Sequence, residues 1–505
     1  MKGKWLTLGL CLFLLVGLAS TGLAAEKHGG NLIIGMNGDP AGFDPHVTTA
    51  HTSYEVLENV YNTLVQAEID GVEPSLAKSW QVSDDGLTWT FHLREGVKFH
   101  NGNPLTAQDV KYSYERILDP DTGCGDAWRL SAVKEIRAPD ETTVVIDLEH
   151  PYPELPVHLG GFKGMAIVSK ENVESGNINK HPIGTGPFEF VEYTPGKEVV
   201  IEKNPNYWKE DRPYLDKITY RIIPEESARI SSLVTGEIDI IDSVPPQRVD
   251  SLKDRKNIEV GETNSNAYWY IGVNLAHKPF NNKAVRQAIA YAINHEDVAA
   301  AAKWEAATGT DHPVPESSKW YNDYHPYIGK GGTEKAKEML EEAGYSDGFK
   351  ANIMVSTAYP GTIRAAEVIQ SQLLPLGIEL EIRTLEWGTW LAEQKEGNFD
   401  LYICGWLGNR TISSYFHSQH HSEGKFNFTN YSNPELDKLL EEGTKETEFE
   451  KRFEIYSQVQ KIVIDDAPYI YLYIPKVVNA WRSYVKGYDV RPDQAVQFVD
   501  TWLDK

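Results

Sequence analysis

Residues 76–102 read LAKSWQVSDDGLTWTFHLREGVKFHNG, the clearest local pattern in the chain. Within this stretch, Gly86–Leu93 alternates with a period of two, which predicts a half-buried β-strand. A few residues further on, Thr106 and Asp109 have the spacing of an acidic capping box. That box predicts a helix from Ala107 to about Leu118. The first third of the chain is therefore expected to mix strands and helices.

The second half of the chain changes to a regular alternation of helices and strands. Strands that alternate with helices at this spacing indicate an α/β layer. The predicted elements are helix Glu334–Ala343, strand Lys350–Val355, helix Thr362–Leu376, strand Glu379–Thr384, helix Trp387–Lys395, strand Leu401–Cys404, helix Pro434–Gly443 and strand Tyr469–Ile474.

The change of pattern predicts two lobes joined by two chain crossings, near residues 275 and 480. Two crossings form a hinge, and a hinged cleft is suited to closing around a ligand. The predicted division is a signal peptide at 1–25, a first lobe at 26–274 with an inserted subdomain at roughly 58–190, a second lobe at 275–480, and a return to the first lobe at 481–505.

The N-terminus has the pattern of a secretory signal peptide. Two lysines precede the apolar segment Leu6–Leu18, and small residues follow it. The segment is too short to span a bilayer, and we expect cleavage after Ala24 or Ala25. Cys11 lies in the middle of the apolar segment with no lipobox before it. We therefore expect an exported protein that is released rather than lipid-tethered.

Composition argues against a protein that binds nucleic acid or anionic membranes, and against a disulfide-rich protein. The net charge of −24 repels phosphate backbones and anionic lipid surfaces, but a local pocket could still take a small anion. The 13 Trp and 26 Tyr suit either a large core or a cleft that grips varied ligands. Beyond the leader only Cys124 and Cys404 remain, so a disulfide framework is excluded and two separate thiols are expected.

Catalytic motifs are missing from the sequence. It contains no Gly-x-Ser-x-Gly, His-Glu-x-x-His or Gly-x-x-x-x-Gly-Lys-Ser/Thr pattern. Gly184-Thr185-Gly186 leads into a predicted strand, so it is not a phosphate cradle before a helix. We predict a protein that is not an enzyme and needs no cofactor; the alternative is an exported hydrolase with an unfamiliar site.

Residues 76–102 resemble the bacterial extracellular solute-binding family 5, the peptide- and nickel-type binding proteins of ABC importers. The resemblance continues in order through the rest of the chain. Its further motifs are Leu105–Val110, Ile183–Phe188, Asn204–Trp208, Pro279-Phe280, Val285–Ala288, Glu341–Tyr345, Gly405-Trp406 and Tyr431–Glu435.

The resemblance implies the two-lobed periplasmic-binding-protein fold of class C type, an α/β fold whose first lobe is split into two subdomains. It also implies a periplasmic protein that captures a peptide-like solute between the lobes and delivers it to permease subunits in the inner membrane. We expect a monomer that binds no nucleic acid. The alternative on the same fold is a binder of a nickel complex or an oligosaccharide, because fold does not fix the ligand.

Six residues are candidates for contacts with the solute. Trp406 follows the strand Leu401–Gly405, and Trp387 follows the strand that ends near Thr384; both could form walls of the cleft. Thr49 and His51 lie in a loop where related proteins place main-chain and hydroxyl contacts.

Asn409 and Arg410 complete the set, and they depart from the dipeptide-binding pattern. Dipeptide-binding members have an aspartate shortly after the Gly-Trp pair that holds the free amine, and here that position is Asn409. An amide cannot supply the buried negative charge that an ammonium group needs, whereas Arg410 would attract a carboxylate. Ser356–Gly361, where related proteins can place an arginine, contains none. We therefore expect longer, blocked or modified peptides, or a non-peptide solute.

His417, His420 and His421 form a separate histidine cluster. Helical spacing would place all three on one face, and imidazole suits nickel, copper or zinc. No Cys, Asp or Glu stands inside the cluster, and the residues that follow have the composition of an exposed loop. We therefore predict a solvated polar loop here rather than a metal site.

Overall fold

The computed structural model describes residues 27–48, 50–68, 71–304, 306–328, 332–406 and 411–505. The predicted signal peptide at 1–25 lies outside these residues and stays a prediction. Within them, the chain forms a mixed α/β structure with a 12-stranded sheet that continues from one lobe into the other.

The described strands are β1 (Asn31–Met36), β2 (Val65–Glu68), β3 (Gly71–Pro74), β4 (Ala77–Val82), β5 (Thr88–Leu93), β6 (Val133–Arg137), β7 (Thr143–Leu148), β8 (Phe188–Thr194), β9 (Glu198–Lys203), β10 (Lys217–Ile222), β11 (Ile240–Ile241), β12 (Ile258–Asn264), β13 (Tyr268–Val273), β14 (Ala307–Gly309), β15 (Phe349–Ser356), β16 (Ile378–Leu385), β17 (Leu401–Trp406), β18 (Tyr469–Arg482), β19 (Val485–Lys486) and β20 (Trp502–Leu503).

The described α-helices are α1 (His51–Val60), α2 (Ala107–Leu118), α3 (Leu155–Gly160), α4 (Phe162–Met165), α5 (Lys170–Glu174), α6 (Glu226–Thr235), α7 (Val249–Lys253), α8 (Lys283–Ala292), α9 (His295–Lys303), α10 (Gly332–Glu342), α11 (Pro360–Leu373), α12 (Trp387–Glu396), α13 (His417–His420), α14 (Pro434–Lys445) and α15 (Phe449–Asp466).

Separate hydrophobic cores distinguish the lobes. One large core contains buried side chains from Tyr268 to Ile474, and these define the second lobe. In the first lobe, one core packs the sheet β11-β1-β10-β9-β8 against α1, and another lies between Leu64 and Ile167 beneath the small sheet β4-β5-β7-β6. A third core includes Leu233 and Leu252 and packs against Val478 of β18. The first lobe therefore has three clusters of buried apolar side chains.

The two chain crossings are neighbouring strands of the shared sheet. The first half of β18 pairs with β13 of the second lobe, and its second half, from Lys476 to Arg482, pairs with β12. Between β12 and β13, the Ser265 amide donates to the Pro475 carbonyl over 2.9 Å. The chain therefore passes from one core to the other between β12 and β13 and again near Pro475. Both places come earlier in the chain than the borders expected at 274 and 480, and those borders stay predictions.

Two local predictions are confirmed by the structure. The helix α2 covers Ala107–Leu118, and the Thr106 amide and hydroxyl both donate to the Asp109 carboxylate over 2.8 Å. Cys124 and Cys404 are free thiols. In the part of the chain that the structure describes, no helix has the length and apolar character needed to cross a membrane.

Candidate functional site

The carboxyl ends of three parallel strands form one edge of the second lobe's sheet. β15 pairs in parallel with both β16 and β17, so the residues that follow these strands meet at the same edge. Ligands of open α/β sheets bind outside the carboxyl ends of strands. Tyr359 follows β15, Trp387 follows β16, and Trp406 ends β17. Two of the six predicted residues therefore lie at the edge where a ligand is expected.

An aromatic wall of Trp269, Tyr359 and Trp387 forms at this edge. The Tyr359 ring lies edge-on to both tryptophans, with centroid distances of 5.6 Å to Trp269 and 5.2 Å to Trp387. Edge-to-face rings at this spacing attract each other beyond the gain from burial. Tyr359 keeps 40% of its surface exposed, so the wall presents an aromatic side chain to solvent. Sequence analysis predicted Trp387 but missed its two partners.

Gly405 allows this wall to pack against β17. Gly405 of β17 pairs with Trp269 of β13, and a Cβ placed on it would lie 2.8 Å from the Trp269 indole ring. Real Cβ atoms do not approach a ring carbon so closely, so any side chain here would displace Trp269. The glycine of the Gly-Trp pair is therefore required by close packing.

Two cations lie beside the aromatic wall. The Lys303 ammonium is 5.8 Å from the centroid of Trp269, and no described carboxylate forms an ion pair with it. Burial lowers the pKa of Lys303, and the charge of Arg364 lowers it further. Arg364 donates to the carbonyls of Ala301 and Ala302 over 2.8 and 2.9 Å. An incoming carboxylate would relieve the repulsion between these two cations.

Trp406 is half-buried and supports the segment that follows it. Its indole Nε1 donates to the Ser414 carbonyl over 3.0 Å, and its ring lies edge-on to Phe426 at 5.1 Å. No ring contact joins it to Trp387 among the described residues. Trp406 therefore positions the chain around Ser414, and its contact with a solute stays a prediction.

His51 lies in the first lobe, at the corresponding edge of that lobe's sheet. β1, β10 and β11 are parallel, and Asp242 directly follows β11. The His51 Nε2 atom is 3.3 Å from Asp242 Oδ2 and 3.5 Å from Glu55 Oε1. Burial and the charge of Asp242 raise the pKa of Glu55 well above its usual value. This arrangement places His51 with two carboxyl groups that sequence analysis did not connect to it.

Three predicted contact residues fall outside the described part of the chain. These are Thr49, Asn409 and Arg410. Their proposed contacts with the solute stay predictions from the sequence.

The histidine cluster does not form a common face. His417 and His421 stack with ring centroids 5.0 Å apart, but His420 is fully buried against Tyr469. Burial lowers the pKa of His420 to about 3, and its Nε2 lies 3.3 Å from the Tyr471 hydroxyl. The prediction of a solvated loop is wrong for His420, because the chain turns this imidazole into an aromatic core.

A buried ion pair joins the two lobes. Glu154 precedes α3 of the first lobe, and Arg452 lies on α15 of the second; their side chains are 3% and 7% exposed. The Arg452 guanidinium and the Ser413 hydroxyl both donate to the Glu154 carboxylate, and the Ser413 amide donates over 3.2 Å. Because 298 residues separate Glu154 from Arg452, no sequence pattern connects them.

Two lobes with separate cores, linked by adjacent strands of one sheet, are typical of cleft-type solute-binding proteins. The family described as "Bacterial extracellular solute-binding proteins, family 5 Middle" matches residues 71–427, and the chain belongs to this family. The resemblance expected from the sequence is therefore confirmed.

Similar proteins include binders of small peptides. The glutathione-binding protein GsiB of Salmonella typhi is 30% identical, and the alignment covers 97% of this chain and 98% of GsiB. The periplasmic binding protein DppA of Helicobacter pylori, solved with the peptide STSA, is 31% identical with a TM-score of 0.77, covering 95% of this chain and 99% of DppA. The unliganded open form of the murein tripeptide-binding protein MppA is 25% identical with a TM-score of 0.83, covering 95% and 98%.

Proposed function

We propose that this protein is the periplasmic solute-binding component of an ABC importer and captures a peptide-like solute that carries a carboxylate. Lys303 supports a carboxylate on the solute, because this partly buried cation lies beside the aromatic wall with no described carboxylate partner. Relatives named for glutathione and for a peptide complex support the same solute class.

The proposed mechanism is capture followed by lobe closure. The aromatic wall supplies apolar contact area, Lys303 and Arg410 attract the carboxylate, and closure of the lobes excludes water. A solute stabilises the closed form only through its higher affinity for that form. Thr49, His51, Trp406 and Asn409 complete the proposed contacts.

The proposed location is the periplasm, and the proposed partners are permease subunits. The signal peptide directs export to the periplasm, and permease subunits in the inner membrane receive the solute from a monomeric binding protein. The protein carries out no chemical step on its solute, in line with a family of solute-binding proteins.

Native mass spectrometry of the purified protein, compared with its denatured mass, tests the solute class. Retained peptide-sized masses would support the proposal. A single mass that matches a sugar or a metal complex would overturn it in favour of the alternative solute on the same fold.

Binding measurements with glutathione and a tetrapeptide test the role of Lys303. Lys303→Met removes a charge-assisted contact of about 1.5–3 kcal/mol, so affinity should fall about 10- to 100-fold. Lys438→Met on exposed α14 is the matched control and should leave affinity unchanged. Equal affinity of Lys303→Met and the unmodified protein would exclude Lys303 from the site.

A further inference from the structure

Three potential metal ligands converge in the first lobe. His51 is the first residue of α1, Glu55 lies one turn later on the same helix, and Asp242 directly follows β11. One ligand atom from each residue lies within 4.8 Å of the other two. The i, i+4 spacing places His51 and Glu55 on one helix face, and the sheet brings Asp242 against that face.

Glu55 has an unsatisfied buried carboxyl group. The residue is 1% exposed, and neither side-chain oxygen has a hydrogen-bond partner among the described residues. A buried polar group without a partner costs free energy, and a buried charge costs more. Such a group in a folded protein needs a proton or a cation.

Three other nearby donors, Tyr220, Asn59 and Arg229, bond to backbone carbonyls instead of the Glu55 carboxyl group. The Tyr220 hydroxyl and the Asn59 amide donate to the backbone carbonyl of Glu55, over 2.9 and 3.0 Å, and leave its carboxyl group alone. The Arg229 guanidinium donates to the carbonyls of Ile223 and Pro224 over 2.8 and 2.9 Å. These donors therefore leave the Glu55 carboxyl group without a hydrogen bond, and the His51 imidazole approaches it to 3.5 Å.

The two separations from His51 match those around a small divalent cation, and the carboxylate oxygens lie within 4.8 Å of each other. Metal–ligand distances of about 2.0–2.2 Å in a tetrahedral site place the ligand atoms about 3.3–3.6 Å apart. His51 Nε2 lies 3.3 Å from Asp242 Oδ2 and 3.5 Å from Glu55 Oε1. The His51 side chain is 35% exposed, which gives an ion a route to the buried carboxyl group.

We propose that His51, Glu55 and Asp242 form a Zn²⁺ site in the first lobe. An imidazole with two carboxylates suits zinc, whereas calcium takes six to eight oxygens and magnesium keeps several waters. Three protein ligands leave a fourth position open for water or for a donor atom of a bound solute. The site is separate from the histidines at 417–421 and shares His51 with the proposed solute contacts, but its test with Zn²⁺ alone does not require the solute.

Equilibrium dialysis of the chelator-treated protein against Zn²⁺, with metal analysis, tests the site. The unmodified protein should bind one Zn²⁺ per chain. His51→Ala and Asp242→Asn should each weaken binding by more than about 100-fold, because loss of a direct ligand exceeds the 10–100-fold effect of a supporting residue. His417→Ala/His421→Ala is the matched histidine control and should bind as the unmodified protein does.

Thermal unfolding separates loss of the site from loss of the fold. Without metal, Asp242→Asn keeps the size of the side chain, so its Tm should stay close to that of the unmodified protein. Zn²⁺ should raise the Tm of the unmodified protein and of the 417/421 variant, because it binds the folded state, but not that of Asp242→Asn. The proposal is overturned if the unmodified protein binds no Zn²⁺, if both site variants bind it equally well, or if binding is lost in the 417/421 variant instead.

Discussion

Glu154 and Arg452 place two opposite charges inside the contact between the lobes, where both side chains are more than nine-tenths buried. Removing one partner of a buried ion pair leaves the other charge uncompensated and costs about 3–5 kcal/mol. Arg452→Met should therefore lower the Tm clearly. The double variant Glu154→Leu/Arg452→Met should recover most of that loss, because apolar replacement of both partners is often neutral. Thermal unfolding of the two variants checks this, and equal loss in both would contradict it.

The same pair gives a dependence of stability on pH. Burial alone would raise the pKa of Glu154, but Arg452, His158 and Ser413 together hold it below its usual value. A carboxyl group with a lowered folded pKa adds stability above its unfolded pKa of about 4.3, and that contribution is lost as pH falls through the folded value. The difference in Tm between the unmodified protein and Glu154→Gln should be constant from pH 6 to 8 and shrink below about pH 4.3. A difference that grows on acidification would contradict this assignment.

At Gly405, the addition of a single methyl group should affect both stability and solute binding. Its Cβ would lie 2.8 Å from the Trp269 ring, and overpacking of this kind costs about 1–3 kcal/mol. Gly405→Ala should lower the Tm and weaken solute binding together, because displacement of Trp269 disturbs the aromatic wall. Gly196→Ala is the control: no atom lies within 4 Å of its added Cβ, but its φ of +70° should lower the Tm through backbone strain while solute binding stays unchanged. Unchanged binding by Gly405→Ala would show that the solute does not use the wall.

At the scale of elements, local sequence signals predicted most of the helices and strands, and two exceptions have physical causes. The capping box at Thr106 located the start of α2. The start of α1 at His51 has no local sequence signal, because its N-cap is Ala50, which offers no side-chain hydrogen bond. The strand predicted to end at Ile474 continues to Arg482 through Pro475, although proline usually interrupts a strand.

Pro475 is tolerated because the sheet changes partners there. On one side, β18 leaves β13 and begins its pairing with β12 at Lys476, so the missing amide falls between these two ladders. On the other side, Pro475 stays opposite Ala307 of β14. The Pro475 carbonyl still accepts from Ser265. This change of strand partners depends on tertiary pairing, so a local sequence pattern cannot predict it.

The candidate site could be predicted only in part for a similar reason. Trp387 could be located because it follows a predicted strand, and strand ends collect ligand contacts. Lys303 could not be predicted because it is distant in sequence from the wall residues. Glu55 could not be predicted because its sequence position is that of an ordinary polar residue on a helix. Their roles arise from neighbours that the fold brings together.

At the scale of the whole molecule, the adjacent crossings determine how the lobes can move, and the Glu154–Arg452 contact affects how readily they close. The crossings lie side by side in one sheet, so the lobes can rotate about them as a hinge. The ion pair favours the form in which the lobes touch, and apparent affinity depends on how much of that form is populated.

Small-angle scattering with and without saturating solute measures this closure. The radius of gyration should fall when the retained solute, identified by native mass spectrometry, is added to the stripped protein. Glu154→Gln, which does not touch the proposed solute contacts, should reach the same closed dimensions only at a higher solute concentration. Lys438→Met should close as the unmodified protein does. Identical dimensions with and without solute would exclude closure as the mechanism of capture, and closure of Glu154→Gln at an unchanged concentration would show that the ion pair has no part in it.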